Sequence, residues 1–130
     1  MSAEQLLTQE FGTLADVIRE QARDLKDKPA LIDARRTITY AELDELMDRI
    51  AAALQRDGVG KAQVAAVCAT TSVEYGATFF GILRAGAVVA PLAPSSTPES
   101  LVMMLNDSGA KVFFLDAGVA KQLEGVAGQI

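Results

Sequence analysis

The 130-residue chain has no histidine, no tryptophan and a single cysteine, Cys68. Without histidine, neither a Ser-His-Asp nor a Cys-His relay can be assembled within the chain, and zinc loses its usual nitrogen ligand. One cysteine cannot close an internal disulfide, which fits a reducing cytoplasm. Cys68 sits in the apolar run Val64-Ala65-Ala66-Val67-Cys68-Ala69, so a buried, inert thiol is expected. Positive charge is also scarce: 12 basic residues against 17 acidic ones give a net charge of −5. That argues against nucleic acid or an anionic membrane surface as a partner. No long hydrophobic run is present. The longest, residues 79–93, is interrupted by Arg84, two glycines and Pro91, too short and broken for an integral membrane segment. Residues 1–9 carry no basic n-region, so they do not read as a signal peptide. A cytoplasmic location is expected.

What remains is the composition of one folded unit. Half of the residues are hydrophobic, 22% are charged and only four are proline, which suits a globular core and not a disordered segment. After a tail over residues 1–12, Thr13 is positioned to cap a first helix, with Leu14, Val17, Ile18 and Leu25 on one face. Lys26-Asp27-Lys28-Pro29 stops it. Ala30-Leu31-Ile32 and Thr37-Ile38-Thr39 then predict a hairpin around Asp33-Ala34-Arg35-Arg36.

Thr39 and Glu42 form a capping box for a second helix, striped by Leu43, Leu46, Met47, Ile50 and Leu54 and stopped by Gly58. Residues 64–69 are apolar on both faces, the pattern of a central parallel strand. Thr71 and Glu74 suggest another capping box, opening a helix to about Arg84 that is apolar nearly all round and therefore deeply packed. Phe79, Ile82, Leu83, Val88 and Val67 are expected to share one core. Gly76 and Gly81 weaken that helix intrinsically and point to close approach of a neighbour. Val88-Val89-Ala90 is the next strand. Thr97 caps a helix with Pro98 at its first position, with Leu101, Met104 and Leu105 inward and Ser108-Gly109 at its end. A strand over residues 111–115 and a weaker helix over residues 119–130 complete the chain. Strands alternating with helices require parallel crossovers. The fold class is α/β: three layers, a mostly parallel sheet with helices on both faces, and a small N-terminal β-hairpin.

Motifs for chemistry fail one by one. Gly58-Val59-Gly60 starts a dinucleotide fingerprint, but Gln63 takes the third glycine position and the stretch precedes a strand. Gly81 to Gly86 has the spacing of a phosphate-binding loop, yet Ala87-Val88 stands where Lys-Ser/Thr is required. The acidic residues fall on solvent faces of helices. Asp33 in the hairpin turn and Asp116 after a strand do not form the cluster of a phosphoacceptor site. No catalytic residue and no metal site is named.

Two segments resemble the core motifs of the adenylate-forming superfamily: Ile38-Thr39-Tyr40-Ala41-Glu42-Leu43, and the stretch that runs from Gly81 through Leu83-Arg84-Ala85-Gly86 to Pro91-Leu92-Ala93-Pro94. Ser72-Val73-Glu74-Tyr75 and Asp107-Ser108-Gly109-Ala110-Lys111-Val112 are similar to segments of acyl-CoA synthetases. Thr97-Pro98-Glu99 also looks more like the acyl- and aryl-CoA ligases than the peptide synthetases. The resemblance implies the N-terminal part, residues 13–130, of the large domain of an AMP-forming acyl-CoA ligase, acting on an aliphatic or aromatic carboxylic acid. It implies ATP, Mg2+ and CoA for the complete enzyme and none of them bound by this segment alone, which should be inactive. Several CoA ligases carry an arginine after the loop proline; Ser95 stands there, as no more than a neighbour of any coenzyme site. The implied partner is the remainder of the enzyme, or a second copy. A truncated, non-catalytic α/β scaffold or binding module is the alternative.

Overall fold

The computed structural model of the protein describes residues 2–9 and 12–130. A short helix α1 (Ala3–Leu7) lies where the sequence predicts only a tail. Its start is fixed by a reciprocal box, Ser2 Oγ accepting from Gln5 N and Gln5 Oε1 accepting from Ser2 N. Helix α2 (Leu14–Asp24) begins at Thr13 as expected. Its inward face is Ala15 and Ile18, however, while Leu14 and Leu25 are exposed. Strands β1 (Pro29–Ile32) and β2 (Thr37–Thr39) form the antiparallel hairpin. Helix α3 (Tyr40–Arg56) is opened by the Thr39–Glu42 box and closed at Gly58, whose φ is +79°.

The rest is a three-stranded parallel sheet. Strand β3 (Val64–Cys68) lies in the middle, flanked by β4 (Val88–Pro91) and β5 (Val112–Leu115). Helix α4 (Val73–Arg84) leads from β3 to β4, and α5 (Pro98–Ser108) leads from β4 across to β5. Helix α6 (Ala117–Leu123) and a 3₁₀ turn at Ala127–Gln129 follow. Side chains of β3 alternate between two cores. Ala65 packs with Ala51 and Leu54 of α3 and Ile82 of α4. Cys68 packs on the opposite face with Leu101 of α5 and with Val119 and Leu123 of α6. A third cluster joins Ala15, Ile18, Ile38, Leu43, Met47, Val73 and Ala77, tying the hairpin and α2 to α3 and α4. The layers are therefore helix, sheet, helix, with the hairpin at one end.

Close packing explains the two glycines in α4. A Cβ at Gly81 would lie 2.7 Å from Ile50 Cβ, and one at Gly76 would lie 2.9 Å from Leu31 Cδ1. Glycine at these positions lets α4 touch α3 and β1. Arg84 locks the same contact. Its side chain is 8% exposed, and Nη1 donates to the Asp44 carbonyl at 2.9 Å and to Asp48 Oδ1 at 3.2 Å. Nη2 reaches the Ala15 carbonyl at 3.0 Å, while Asp44 Oδ1 lies 2.6 Å from Nη1.

The expected single core of Phe79, Ile82, Leu83, Val88 and Val67 is not formed. Ile82 and Val67 are fully buried, but Phe79 and Leu83 are half-buried and Val88 is 49% exposed. Two faces of α4 meet partners: Val73 and Ala77 pack toward α2 and α3, and Gly81 and Ile82 toward α3 and the sheet. The third, with Tyr75 and Thr78, borders an open cleft.

Candidate functional site

Connections from the carboxyl ends of β3 and β5 leave toward opposite faces of the sheet, α4 to one and α6 to the other. A crevice opens between strand ends at such a reversal, the usual place for ligands in open α/β sheets. Here it is a cleft of about 780 Å³. Val67 and Phe114, register partners on β3 and β5, form its floor. Tyr75 and Thr78 of α4 form a wall, with Phe79 stacked on Tyr75 at a centroid distance of 6.5 Å. Thr70, Thr71 and Ser72 after β3, Asp33 and Arg35 in the hairpin turn, and Asp116 after β5 make the rim.

Of the three carboxylates that line the cleft, Glu74 faces the hairpin arginines, while Asp33 and Asp116 are committed to backbone donors. Asp33 Oδ1 accepts from Arg35 N at 2.7 Å and Arg36 N at 2.8 Å, and Oδ2 accepts from Val73 N at 2.9 Å. The Val73 N–H, with those of Arg36 and Arg35, lowers this carboxyl from an ordinary 3.8 to about 2. Asp116 Oδ2 accepts from Thr70 N at 2.8 Å and Oδ1 from Val119 N at 2.9 Å, and the same two donors lower its pKa. Both side chains are ionised at neutral pH and act as clasps: Asp33 fastens the hairpin to the start of α4, and Asp116 fastens the β3–α4 loop to α6.

These clasps decide what the cleft can hold. The first turn of a helix attracts phosphate, but at α4 the Asp33 carboxylate already occupies that place. Asp33 and Asp116 spend much of their acceptor capacity on N–H groups, which leaves little of it for a cation, and Arg35 is the guanidinium among the lining residues. Among the described residues, no three of His, Cys, Asp and Glu are gathered as a metal-binding group. What the cleft does offer is an apolar and aromatic floor and wall with hydroxyl groups at the mouth.

Several sequence readings change at this site. The capping residue of α4 is Ser72, whose Oγ accepts from Tyr75 N at 3.1 Å, and not Thr71. Glu74 makes no capping box. It faces the hairpin, 3.2 Å from Arg35 Nη2 and 3.6 Å from Arg36 Nη1. Asp33 and Asp116, read as unrelated, border one cleft. The signals were local: aspartate opening a turn, and aspartate three residues before the Val119 N–H it caps. Ser95 is exposed in the loop after β4 and does not line the cleft. Cys68 is fully buried, and burial, with the nearby Asp116 charge, raises its thiol pKa, as an inert cysteine requires.

The match that decides the family runs through both clasps: a model of the AMP-binding enzyme family fits residues 18–129. The chain belongs to that family. It is 33% identical to the 3-hydroxybenzoate–CoA/4-hydroxybenzoate–CoA ligase of Thauera aromatica over 98% of its own length and 25% of the relative's. It is 32% identical to a long-chain-fatty-acid–CoA ligase of Escherichia coli, covering 89% of the chain and 21% of that enzyme. It is also 34% identical to the polyketide synthase PksN of Bacillus subtilis, covering 87% of the chain and 2% of the synthase. Among solved structures, the N-terminal domain of FACL13 from Mycobacterium tuberculosis superposes with a TM-score of 0.83 at 26% identity, over 88% of this chain and 29% of that one. The chain therefore spans a quarter or less of the length of these curated relatives. No helix among the described residues is long and apolar enough to cross a membrane.

Proposed function

We propose that residues 13–130 are the N-terminal part of the large domain of an AMP-forming acyl-CoA ligase. The complete enzyme activates an aliphatic or aromatic carboxylic acid with Mg-ATP and passes the acyl group to CoA. The observation that carries this reading is similarity to the hydroxybenzoate–CoA ligase over 98% of the chain. The Thr97-Pro98-Glu99 opening of α5, with Thr97 Oγ1 accepting from Ser100 N, also supports it. Modular synthases are similar to the chain as well, so transfer to CoA is the step under test. The remainder of the enzyme is the partner, and it supplies the grip on ATP and magnesium that the cleft does not offer.

The test has two arms. The 130-residue chain alone should give no acid-dependent exchange between pyrophosphate and ATP, because positioning of the triphosphate provides much of the barrier lowering. The product of the full reading frame, given a panel of carboxylic acids, should release AMP and form thioester only with CoA present. Adenylate formation without thioester overturns the ligase reading in favour of an adenylation domain. A reading frame that stops at codon 130, with no exchange activity, favours the non-catalytic scaffold.

A further inference from the structure

The two N-terminal helices are seated on the body by little apolar surface. Helix α1 packs against α2 and buries only Ala3. Of the 11 residues of α2, Ala15 and Ile18 are the buried ones. They join a cluster whose other members, Ile38, Leu43, Met47, Val73 and Ala77, are supplied by the hairpin, α3 and α4. Ile18 is therefore the one large side chain that seats the pair.

Polar ties are equally sparse. The Arg19–Asp48 pair, at 2.6 Å, has both side chains about half exposed, and a pair of that kind contributes little. The pairs of Arg23 with Glu20 and Asp24 lie within α2 and travel with it. The shielded tie is the bond from Arg84 Nη2 to the Ala15 carbonyl at 3.0 Å.

The partners of Arg84 are divided in a way that lets α2 leave. A buried guanidinium stripped of its partners is costly. Here only the Ala15 carbonyl belongs to α2, while the Asp44 carbonyl, Asp44 Oδ1 and Asp48 Oδ1 all belong to α3. When α2 departs, Arg84 keeps both carboxylates and Nη2 turns to water. The Ala15 carbonyl keeps its partner in the helical ladder of α2.

The chain also has a pivot. Leu25 ends α2 with φ −131° and ψ 43°, outside the helical range. Just beyond it the backbone is anchored again: the Lys26 carbonyl accepts from Ala41 N at 3.1 Å and the Lys28 carbonyl from Tyr40 N at 3.0 Å. Rotation at Leu25 moves α1 and α2 without disturbing the hairpin or the start of α3.

We propose that α1 and α2 form a strap that swings about Leu25 off the seam between α3 and α4 while the rest of the fold stays closed. Opening uncovers Leu43, Met47, Val73 and Ala77 as an apolar groove with the Arg84 guanidinium at its edge. The proposal goes beyond the ligase reading and holds whichever acid is activated and whether or not CoA is the acceptor.

The test is native-state hydrogen exchange of the 130-residue chain over a series of low urea concentrations. Amides of residues 18–24 should exchange through a weakly urea-dependent opening, at least about tenfold faster than those of α3 and α4. Ile18→Ala should speed the α2 amides at least about tenfold; Ile18→Val gives the same readout at smaller size if the alanine variant loses its helical circular dichroism. Ile82→Val acts on a cluster that the strap does not touch. It lowers the open and closed forms alike, so it should speed α3 and α4 amides about threefold or more and leave α2 amides within about twofold. Exchange of α2 and α3 on one isotherm overturns the proposal, as does an Ile82→Val variant that speeds both equally. Unprotected α2 amides in the parent overturn it too, because no closed strap then exists, and so does an Ile18→Ala variant whose α2 exchange is unchanged.

Discussion

At the scale of single residues, ionic side chains of this protein work as fasteners. Arg84 is the clearest. Its guanidinium reaches carbonyls of α2 and α3 and two carboxylates of α3, and its own helix is α4. A charge this deeply placed is costly to leave unpaired and costly to remove once others depend on it. Arg84→Met keeps the aliphatic stem and deletes the donors, so it should cost about 3 kcal/mol, read from urea denaturation. A loss under about 0.5 kcal/mol, the range of surface changes, would mean the network is ornamental. Asp33 gives a pH signature. Its folded pKa of about 2 lies below the ordinary 3.8, so the stability it contributes is complete above about pH 4 and is lost as pH falls through about 2. Asp33→Asn should therefore be less stable than the parent at pH 7 and should flatten the acid limb of the stability profile. Parallel profiles for the two proteins would remove Asp33 from its role as a clasp.

Among the elements, α4 carries the most tertiary information, and its environment was the hardest to read. Its existence, its end near Arg84 and the purpose of Gly76 and Gly81 followed from the sequence, because glycine inside an apolar helix has few reasons except close approach. Ala at position 81 would gain about 1 kcal/mol in helix propensity but drive a Cβ to 2.7 Å from Ile50. Overpacking of this kind costs about 1–3 kcal/mol. Gly81→Ala should thus be net destabilising, and Gly81→Ala with Ile50→Val should recover part of the loss; an unchanged urea midpoint for the single variant would show that α3 yields freely. The unbroken apolar run that marks β3 as central was equally legible, as were the box of α3 and the cap of α5, since each is a local pattern.

What sequence could not supply was which face of α4 stays open. An all-apolar helix gives no sign of where its partners stop, so Phe79 and Leu83 look as buried as Ile82. Nor does local pattern place Asp33 and Asp116 on one cleft, which they border because β3 and β5 are neighbours. The difference is measurable. Ile82→Ala, at a fully buried position, should cost about 2–5 kcal/mol, and Phe79→Ala, at a half-buried position stacked on Tyr75, distinctly less. Equal losses would restore Phe79 to the core.

The whole molecule is two bodies of unequal strength sharing one sheet. On one side Ile50 belongs to both of the larger clusters, so hairpin, α2, α3 and α4 share a continuous core. On the other side, α6 is held by Val119 and Leu123, by the Asp116 cap, and by the 3₁₀ turn behind it. Burial of two aliphatic side chains is worth roughly 3–6 kcal/mol before chain entropy is subtracted. That is less than the clusters around Ile50 provide. The C-terminal unit should therefore open without the rest. Native-state hydrogen exchange in low urea should show α6 amides exchanging through a small, weakly urea-dependent opening, while β3, α3 and α4 amides exchange only with global unfolding. Val119→Ala should lower the protection of α6 and leave that of α3 nearly unchanged. If instead α6 and α3 merge on one isotherm, the sheet behaves as a single cooperative unit, and the Cys68 face is as strong as the face that carries Ile82.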